Sequence, residues 1–254
     1  MPSASAAPAP TAPGRAAIPP IWREGRVPLE IAALRRDPVW RGEGVPRGDG
    51  RPVLLICGYL AGDPSLRTLA SWLSRIGYRP ARAGLRWNVG CAGETLDRLE
   101  RRAEALATRA GSRIALVGQS RGGTCARALA VRRPDLIDTV VTLGSPLRGH
   151  LDVHPGVWLH VHLVGALGTL GVPGLLRSSC RDGDCCVQFD EELAAPFPRS
   201  VGLTSVYSRS DGIVRWRACL DPDADHVEIQ SSHIGMAVSA PAYRAIGRAL
   251  DAGA

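Results

Sequence analysis

The sequence predicts an α/β fold, with a mostly parallel, doubly wound sheet and helices on both of its faces. Two observations support this prediction. Continuous apolar runs recur along the chain, which is typical of strands buried on both faces of a parallel sheet. Between these runs, apolar residues recur every three or four positions, which is the period of an amphipathic helix. Such alternation implies right-handed crossovers between parallel strands.

The first strand is expected at Val53–Cys57, where five apolar residues follow one another. Asp63-Pro64 then opens a helix, because proline is favoured in a first helical turn. One face of this helix carries Leu66, Leu69, Leu73 and Ile76. The elements predicted next are a weaker strand at Tyr78–Ala83, a helix at Glu94–Ala110, a strand at Ile114–Val117, a helix at Thr124–Val131 and a strand at Ile137–Leu143.

The alternation breaks down between Leu147 and Ser200, in a stretch rich in Gly, Pro, His and Cys. This stretch is too long for an ordinary connection, so we expect an insertion that forms a lid over the active edge of the sheet. An apolar patch at Val157–Leu167 has helical character. Strands then follow at Gly202–Tyr207 and His226–Ile229, and the last helix is expected from about residue 241 to 250.

Composition favours one α/β domain over residues 21–254, after an Ala/Pro-rich tail at residues 1–20 that we expect to be disordered. A hydrophobic share of 45% and a charged share of 22% are those of a soluble globular protein. The tail lacks the basic start and apolar core of a signal peptide. No apolar run reaches the length of about 18 residues that a transmembrane segment needs. The sequence therefore predicts a cytoplasmic protein.

The net charge is +7, and arginine alone supplies the positive side chains, because all 31 basic residues are arginines. The arginines are scattered, so we expect no nucleic-acid partner. The absence of lysine also excludes a phosphate-loop lysine and a Schiff base.

Seven cysteines form an odd set. The cysteines expected as buried thiols are Cys57, Cys91 and Cys125. Cys180, Cys185 and Cys186 are close enough in sequence for a local disulfide, with Cys219 as another partner, or for a metal site. No matching Cys/His pair follows at zinc-ligand spacing, so the sequence predicts neither a metal nor a cofactor.

Ser120 lies where a predicted strand meets a predicted helix, between Gly118 and Gly122. A tight strand-to-helix turn strains its central residue and brings the flanking chains so close that side chains there would clash. Glycine avoids that clash. Ser120 is therefore expected to project above the carboxyl ends of the strands, at the positive end of a helix, as a nucleophile.

A serine nucleophile needs an imidazole base, and the chain has six histidines. His233 follows the last strand in a short loop, which puts it at the same sheet edge as Ser120. His226 begins a strand and is expected to be structural. The remaining four lie in the insertion, namely His150, His154, His160 and His162.

The imidazole needs a carboxylate partner, for which Asp211 is the candidate because it directly follows the strand Gly202–Tyr207. A simple Asp-Gly turn is the alternative at this position. Asp221, Asp223 and Asp225 are weaker candidates, since they lie at the opposite end of the final strand. The catalytic residues are thus predicted as Ser120, Asp211 and His233.

An oxyanion hole needs two backbone N–H groups. The group of Arg121, directly after the nucleophile, is one candidate. The loop after the first strand supplies the other, from Tyr59, with Leu60 as the fallback if the register differs by one residue.

In five motifs the chain resembles the lipase-like serine esterases of the α/β-hydrolase superfamily. The motifs are CGYLAGD, GQSRGG, VTLGSP, YSRSDGIV and SSHIGM, and they span Val53 to Leu250. The resemblance implies an α/β-hydrolase fold and an esterase that forms an acyl-enzyme. The chain has Cys57 and Gln119 at two positions where bacterial lipases of this type usually carry histidine.

The expected substrate is a small-molecule or lipid ester, bound by an apolar pocket under the lid. The residues expected to contact it are Leu60, Trp158, Leu159 and Leu167. Two alternatives stay open at this point. One is an acyltransferase that uses the same three residues, and the other is a non-catalytic member of the fold that binds a lipid or a protein. The oligomeric state is equally open.

Overall fold

The computed structural model of the protein describes residues 18–147, 153–181 and 183–253. A single sheet of six parallel strands forms its centre. The strands are β1 (Pro52–Ile56), β2 (Arg79–Arg82), β3 (Ile114–Gln119), β4 (Ile137–Leu143), β5 (Gly202–Tyr207) and β6 (Asp225–Glu228), in the spatial order β2-β1-β3-β4-β5-β6. The strand order reverses between β1 and β3, and open parallel sheets bind ligands at such a reversal, outside the carboxyl ends of the strands.

Seven α-helices connect or flank the described strands: α1 (Val27–Arg36), α2 (Arg67–Arg75), α3 (Ala92–Ala110), α4 (Arg121–Arg132), α5 (Pro155–Thr169), α6 (Asp184–Ala194) and α7 (Ala240–Ala252). Short 3₁₀ helices lie at Ile21–Arg26, Pro38–Arg41, Asp63–Leu66, Ser178–Arg181, Trp216–Cys219 and Ile234–Val238.

The helices pack in two groups. In one group, α3, α4 and α6 contact one another, and in the other α7 packs on β4 and β5 and its Tyr243 ring lies 4.5 Å from that of Trp72 in α2. Strands β1 and β3 are buried along their whole length, as their continuous apolar runs predict. The central strands are therefore packed on both faces by the core. This packing holds the loops at their carboxyl ends in place.

The predicted α/β architecture is confirmed, and every predicted strand lies within two residues of its expected bounds. Two helices begin further from their predicted starts: α2 begins at Arg67, after the 3₁₀ helix Asp63–Leu66, and α4 begins at Arg121 rather than Thr124 because it starts directly after the serine turn. The sequence patterns predict neither α1 nor α6, since α1 is short and α6 lies in the stretch where the alternation breaks down. The first 17 residues of the predicted tail lie outside the described part of the chain.

Residues 147–200 lie between β4 and β5 and are here called the cap segment; its residues 148–152 and 182 are outside the described residues. Helix α6 belongs to the body of the protein, because Phe189 and Leu193 join the main hydrophobic core. Helix α5 is different, with Leu159 and Leu163 exposed on its surface and Leu170 82% exposed directly after it. The lid function of the cap segment stays a prediction.

Within the described residues, no helix combines the length and the apolar character that a membrane-spanning helix needs.

Candidate active site

Ser120 occupies a strained turn between β3 and α4. Its φ of 52° and ψ of −127° lie in a region that residues with a side chain rarely adopt. A Cβ atom on Gly122 would lie 2.2 Å from the carbonyl oxygen of Ile56, and one on Gly118 would lie 2.5 Å from the backbone of Gly122. Both glycines are therefore required by close backbone packing, as the sequence predicted.

His233 and Asp211 form a buried pair at the same edge of the sheet. Their Nδ1 and Oδ2 atoms are 2.6 Å apart, and the two residues are 4% and 2% exposed. The other carboxylate oxygen of Asp211 accepts hydrogen bonds of 2.8 Å from the backbone N–H groups of Ile213 and Val214. Because the carboxylate accepts at Nδ1, the proton of a neutral imidazole is held there, and Nε2 is left as the acceptor.

The pKa of His233 is set by opposing effects. Burial alone would lower it, but the charge of Asp211, the hydrogen bond to Asp211 and the charge of Glu24 together raise it above its ordinary value of 6.5. The imidazole therefore takes up a proton more readily than an isolated histidine does.

Gln119 connects the serine turn to the histidine loop. Its buried side-chain amide donates hydrogen bonds of 3.2 and 3.3 Å to the carbonyl oxygens of His233 and Ile234. No hydrogen bond joins the Ser120 hydroxyl to His233 among the described residues, which is common in ligand-free sites of this kind. The structure thus brings Asp211 and His233 into contact. Gln119, the residue before Ser120, links the loop of His233 to the serine turn. The hydrogen bond between Ser120 and His233 stays a prediction.

The N-terminal 3₁₀ helix Ile21–Arg26 contributes Glu24, which the sequence did not indicate as a site residue. One oxygen of Glu24 accepts from the backbone N–H groups of His233 and Gly212, at 3.0 and 3.1 Å. The other accepts from Ile234 at 2.9 Å. Glu24 therefore joins the loop of the histidine to the loop of its carboxylate partner.

Glu30, which lies further along the chain in α1, supports the same histidine loop. It accepts hydrogen bonds from the hydroxyl of Ser231 at 3.0 Å and from the backbone and hydroxyl of Ser232 at 2.7 Å each. The charge of Glu24, and not that of Glu30, is among the main causes of the raised pKa of His233.

Glu24→Gln is expected to shift the acid limb of the pH profile of kcat/KM to lower pH. A catalytic base must be neutral, so activity falls as the pH falls through the pKa of His233. Removing the charge of Glu24 removes one cause of the raised pKa, and we expect a shift of about half a pH unit. Hydrolysis of a p-nitrophenyl ester across the acid range measures it. Glu30→Gln is the matched control, and an equal shift in both variants would contradict this role of Glu24.

The loop after β1 lies against the nucleophile. A Cβ atom on Gly58 would be 3.2 Å from that of Ser120, so the backbone of Tyr59 begins beside the serine. Among the described residues, no acceptor binds the backbone N–H groups of Tyr59 or Arg121. Both groups can therefore donate to a ligand, as the predicted oxyanion hole requires. The left-handed residue of this loop is Leu60, with a φ of 60°.

Cys57 and Asn88 fix the shape of this loop. The Cys57 thiol donates to the carbonyl oxygen of Ala61 at 3.4 Å, and the Asn88 amide donates to that of Cys57 at 2.7 Å. Burial raises the pKa of the Cys57 thiol to about 12, so it stays protonated near neutral pH. Cys57 thus stabilises the conformation of the loop through its hydrogen bond to the backbone.

Helix α5 adjoins the predicted oxyanion loop, because the Tyr59 hydroxyl is 3.3 Å from Nδ1 of His160. The predicted substrate residues Leu60, Trp158, Leu159 and Leu167 are all exposed. The ring of Trp158 also packs on His162, with centroids 3.7 Å apart. These positions are compatible with an apolar rim, but substrate contact stays a prediction for all four.

Three of the competing side chains, those of His154, His226 and Asp221, have other partners. His154 accepts from the backbone of Gly156 at the start of α5, and His226 accepts from that of Asp221. Asp221 itself pairs with Arg127 at 2.8 Å. His150 lies outside the described residues.

Comparisons with known proteins found no family model and no curated protein that matches the chain, whereas several solved structures resemble it at low sequence identity. A metagenomic carboxyl esterase is 15% identical with a TM-score of 0.61, over 97% of this chain and 96% of that one. A mature lipase from Bacillus licheniformis is 14% identical with a TM-score of 0.56, over 77% and 89%. A soluble variant of the monoglyceride lipase from Saccharomyces cerevisiae is 14% identical with a TM-score of 0.56, over 82% and 90%. The chain therefore has the α/β-hydrolase fold.

Proposed function

We propose that the protein is a serine hydrolase that cleaves carboxylic esters through an acyl-enzyme on Ser120. The observation that carries the proposal is the buried His233–Asp211 pair, with its 2.6 Å contact, beside a serine in a strained strand-to-helix turn. The same pattern of nucleophile, base and carboxylate serves acyl transfer on several unrelated folds.

In the first half of the reaction, the Ser120 hydroxyl attacks the ester carbonyl while Nε2 of His233 takes the hydroxyl proton. Asp211 stabilises the resulting imidazolium through Nδ1. The backbone N–H groups of Tyr59 and Arg121 stabilise the negative oxygen of the tetrahedral intermediate, the second of them at the positive end of α4. His233 then donates its proton to the alcohol, which leaves.

In the second half, His233 takes a proton from water, and the water oxygen attacks the acyl carbonyl carbon. The tetrahedral intermediate breaks down with return of the proton to Ser120, which releases the carboxylic acid. The active form of the enzyme is therefore the one in which His233 starts neutral.

The exposed apolar side chains of α5 and Leu60 favour esters with an apolar acyl chain, from small molecules or lipids. Leu60 lies in the predicted oxyanion loop, and α5 reaches this loop through the Tyr59–His160 contact. Apolar surface beside a polar catalytic centre is the usual composition of a binding site for such ligands.

Hydrolysis of p-nitrophenyl esters of increasing acyl length tests this proposal, together with a fluorophosphonate probe that reacts with activated serines. We expect release of p-nitrophenol and of the free acid, and a single labelled peptide that contains Ser120. Absence of both turnover and labelling in correctly folded protein would refute the proposal. Transfer of the acyl group to an added alcohol, without release of free acid, would instead indicate an acyltransferase.

A further inference from the structure

Cys91 meets two cysteines that lie about 90 residues further along the chain, Cys180 and Cys186, where the cap segment contacts the body of the protein. Cys91 immediately precedes α3, Cys180 lies in the 3₁₀ helix Ser178–Arg181, and Cys186 lies in α6. Their sulfur atoms all lie within 4.8 Å of one another. We call these three residues the thiol cluster.

The spacing of the thiol cluster fits a shared metal ion better than a disulfide. A disulfide bond is about 2.05 Å long and would leave the third sulfur outside the bond. A tetrahedral Zn²⁺ ion binds sulfur at about 2.3 Å, which places two ligand sulfurs about 3.8 Å apart. The sulfurs of Cys91 and Cys186 are 3.6 Å apart, close to that value.

Backbone N–H groups point at two of the three sulfur atoms. The backbone N–H of Arg177 donates to the sulfur of Cys180 at 3.3 Å. The N–H groups of Ala92 and Gly93, in the first turn of α3, donate to the sulfur of Cys186. These donors offset part of the effect of burial, which raises the pKa of the Cys186 thiol above its ordinary value, so the bound metal ion itself has to displace the proton.

The cluster also lies at a junction where a metal ion would have a structural effect. The backbone N–H of Leu176, in the cap segment, donates to the carbonyl oxygen of Val89 at 2.8 Å. Gly90 packs against Gly174, such that a Cβ atom on Gly90 would lie 3.5 Å from the carbonyl oxygen of Gly174. An ion bound beside these contacts would cross-link the two segments.

We propose that Cys91, Cys180 and Cys186 bind one Zn²⁺ ion as three thiolates, with solvent as the fourth ligand, and that this ion fastens the cap segment to the core. Each thiol releases its proton to solvent when the metal binds, and no oxidant or reductant is involved. The sequence predicted no metal site because Cys91 lies far upstream of the other two, outside the usual ligand spacing.

The test is zinc binding by the full chain, prepared in the presence of a reductant that does not chelate metal. We expect about one equivalent of Zn²⁺ per chain and a rise in Tm on its addition, since an ion that binds only the folded state stabilises it. Co²⁺ in place of zinc should give the absorption of a thiolate–cobalt complex. The single variants Cys91→Ser, Cys180→Ser and Cys186→Ser should each lower zinc affinity by at least about tenfold.

Cys125→Ala is the matched control, because Cys125 is a buried cysteine in α4 outside the cluster. It should bind zinc as the unmodified protein does. Equal zinc binding by all the variants, absence of zinc binding by the unmodified protein, or a disulfide between Cys91 and Cys186 in protein prepared with reductant would each overturn the proposal. If the serine variants fail to fold, protection of Cys180 from alkylation by zinc in the unmodified protein decides the question, and unchanged alkylation overturns the site.

Discussion

Replacement of Ser120 by alanine is expected to lower kcat/KM for p-nitrophenyl butyrate by about 10⁴-fold or more, because the variant lacks the atom that carries the acyl group. The activity left over would come from the oxyanion hole and substrate binding alone. The Tm should change little, since alanine and serine are of similar size and are equally strained at a φ of 52°. Steady-state hydrolysis and thermal unfolding of the same preparation measure both quantities.

Ser74→Ala is the matched control for this variant, because Ser74 is an exposed serine of α2. It should keep full activity and should still react with the fluorophosphonate probe. Retention of activity by the Ser120 variant would contradict the assignment of the nucleophile. Loss of activity together with a large fall in Tm would show that the residue is needed for folding instead.

Replacement of Asp221 by alanine is expected to lower the free energy of unfolding by about 3–5 kcal/mol, the usual cost of leaving a buried charge without its partner. The side chains of Arg127 and Asp221 are 1% and 0% exposed, and their charged atoms are 2.8 Å apart. Arg127 also donates to the carbonyl oxygens of Leu193 at 2.7 Å and Ala195 at 3.1 Å. These bonds hold the end of α6 against α4, so the loss of the Arg127–Asp221 pair should destabilise the whole fold.

Urea denaturation monitored by circular dichroism measures this effect. The matched control is Asp135→Ala, which breaks an exposed pair with Arg133 and should cost at most about 1 kcal/mol. Equal losses in the two aspartate variants would refute the argument. A double variant with Arg127→Met and Asp221→Leu should be more stable than Asp221→Ala, because no buried charge is then left unpaired.

The sequence predicted those features that depend on local patterns. Strands β1 and β3 contain continuous apolar runs, and Gly118 and Gly122 mark the turn because only glycine fits between backbones that pass so closely. Asp211 and His233 were found because each follows a strand and parallel strands end at one edge of a sheet. The contact between Asp211 and His233 therefore follows from the order and direction of the strands, which the apolar pattern of the sequence indicates.

The features that the sequence did not reveal depend on contacts between distant segments. Glu24 lies in a polar stretch with no motif, and its bonds to the histidine loop exist only once the 3₁₀ helix Ile21–Arg26 has packed there. In the sequence Gln119 stands out only as a difference from lipases, and nothing there indicates that its amide donates to the carbonyl oxygen of His233. Cys91 looked like an ordinary buried thiol, since nothing in the spacing of the cysteines indicates which of them meet.

The bonds of Glu24 have a practical consequence for anyone who shortens the chain. The Ala/Pro-rich beginning of the sequence is an obvious target for deletion before crystallisation or for fusion to a tag. A deletion that extended beyond Arg26 would leave Ser120, Asp211 and His233 in place and yet remove the acceptor shared by Gly212, His233 and Ile234. A change in the activity of such a protein would report the missing acceptor rather than the chemistry of Ser120, Asp211 and His233. Deletions should therefore end before Pro20.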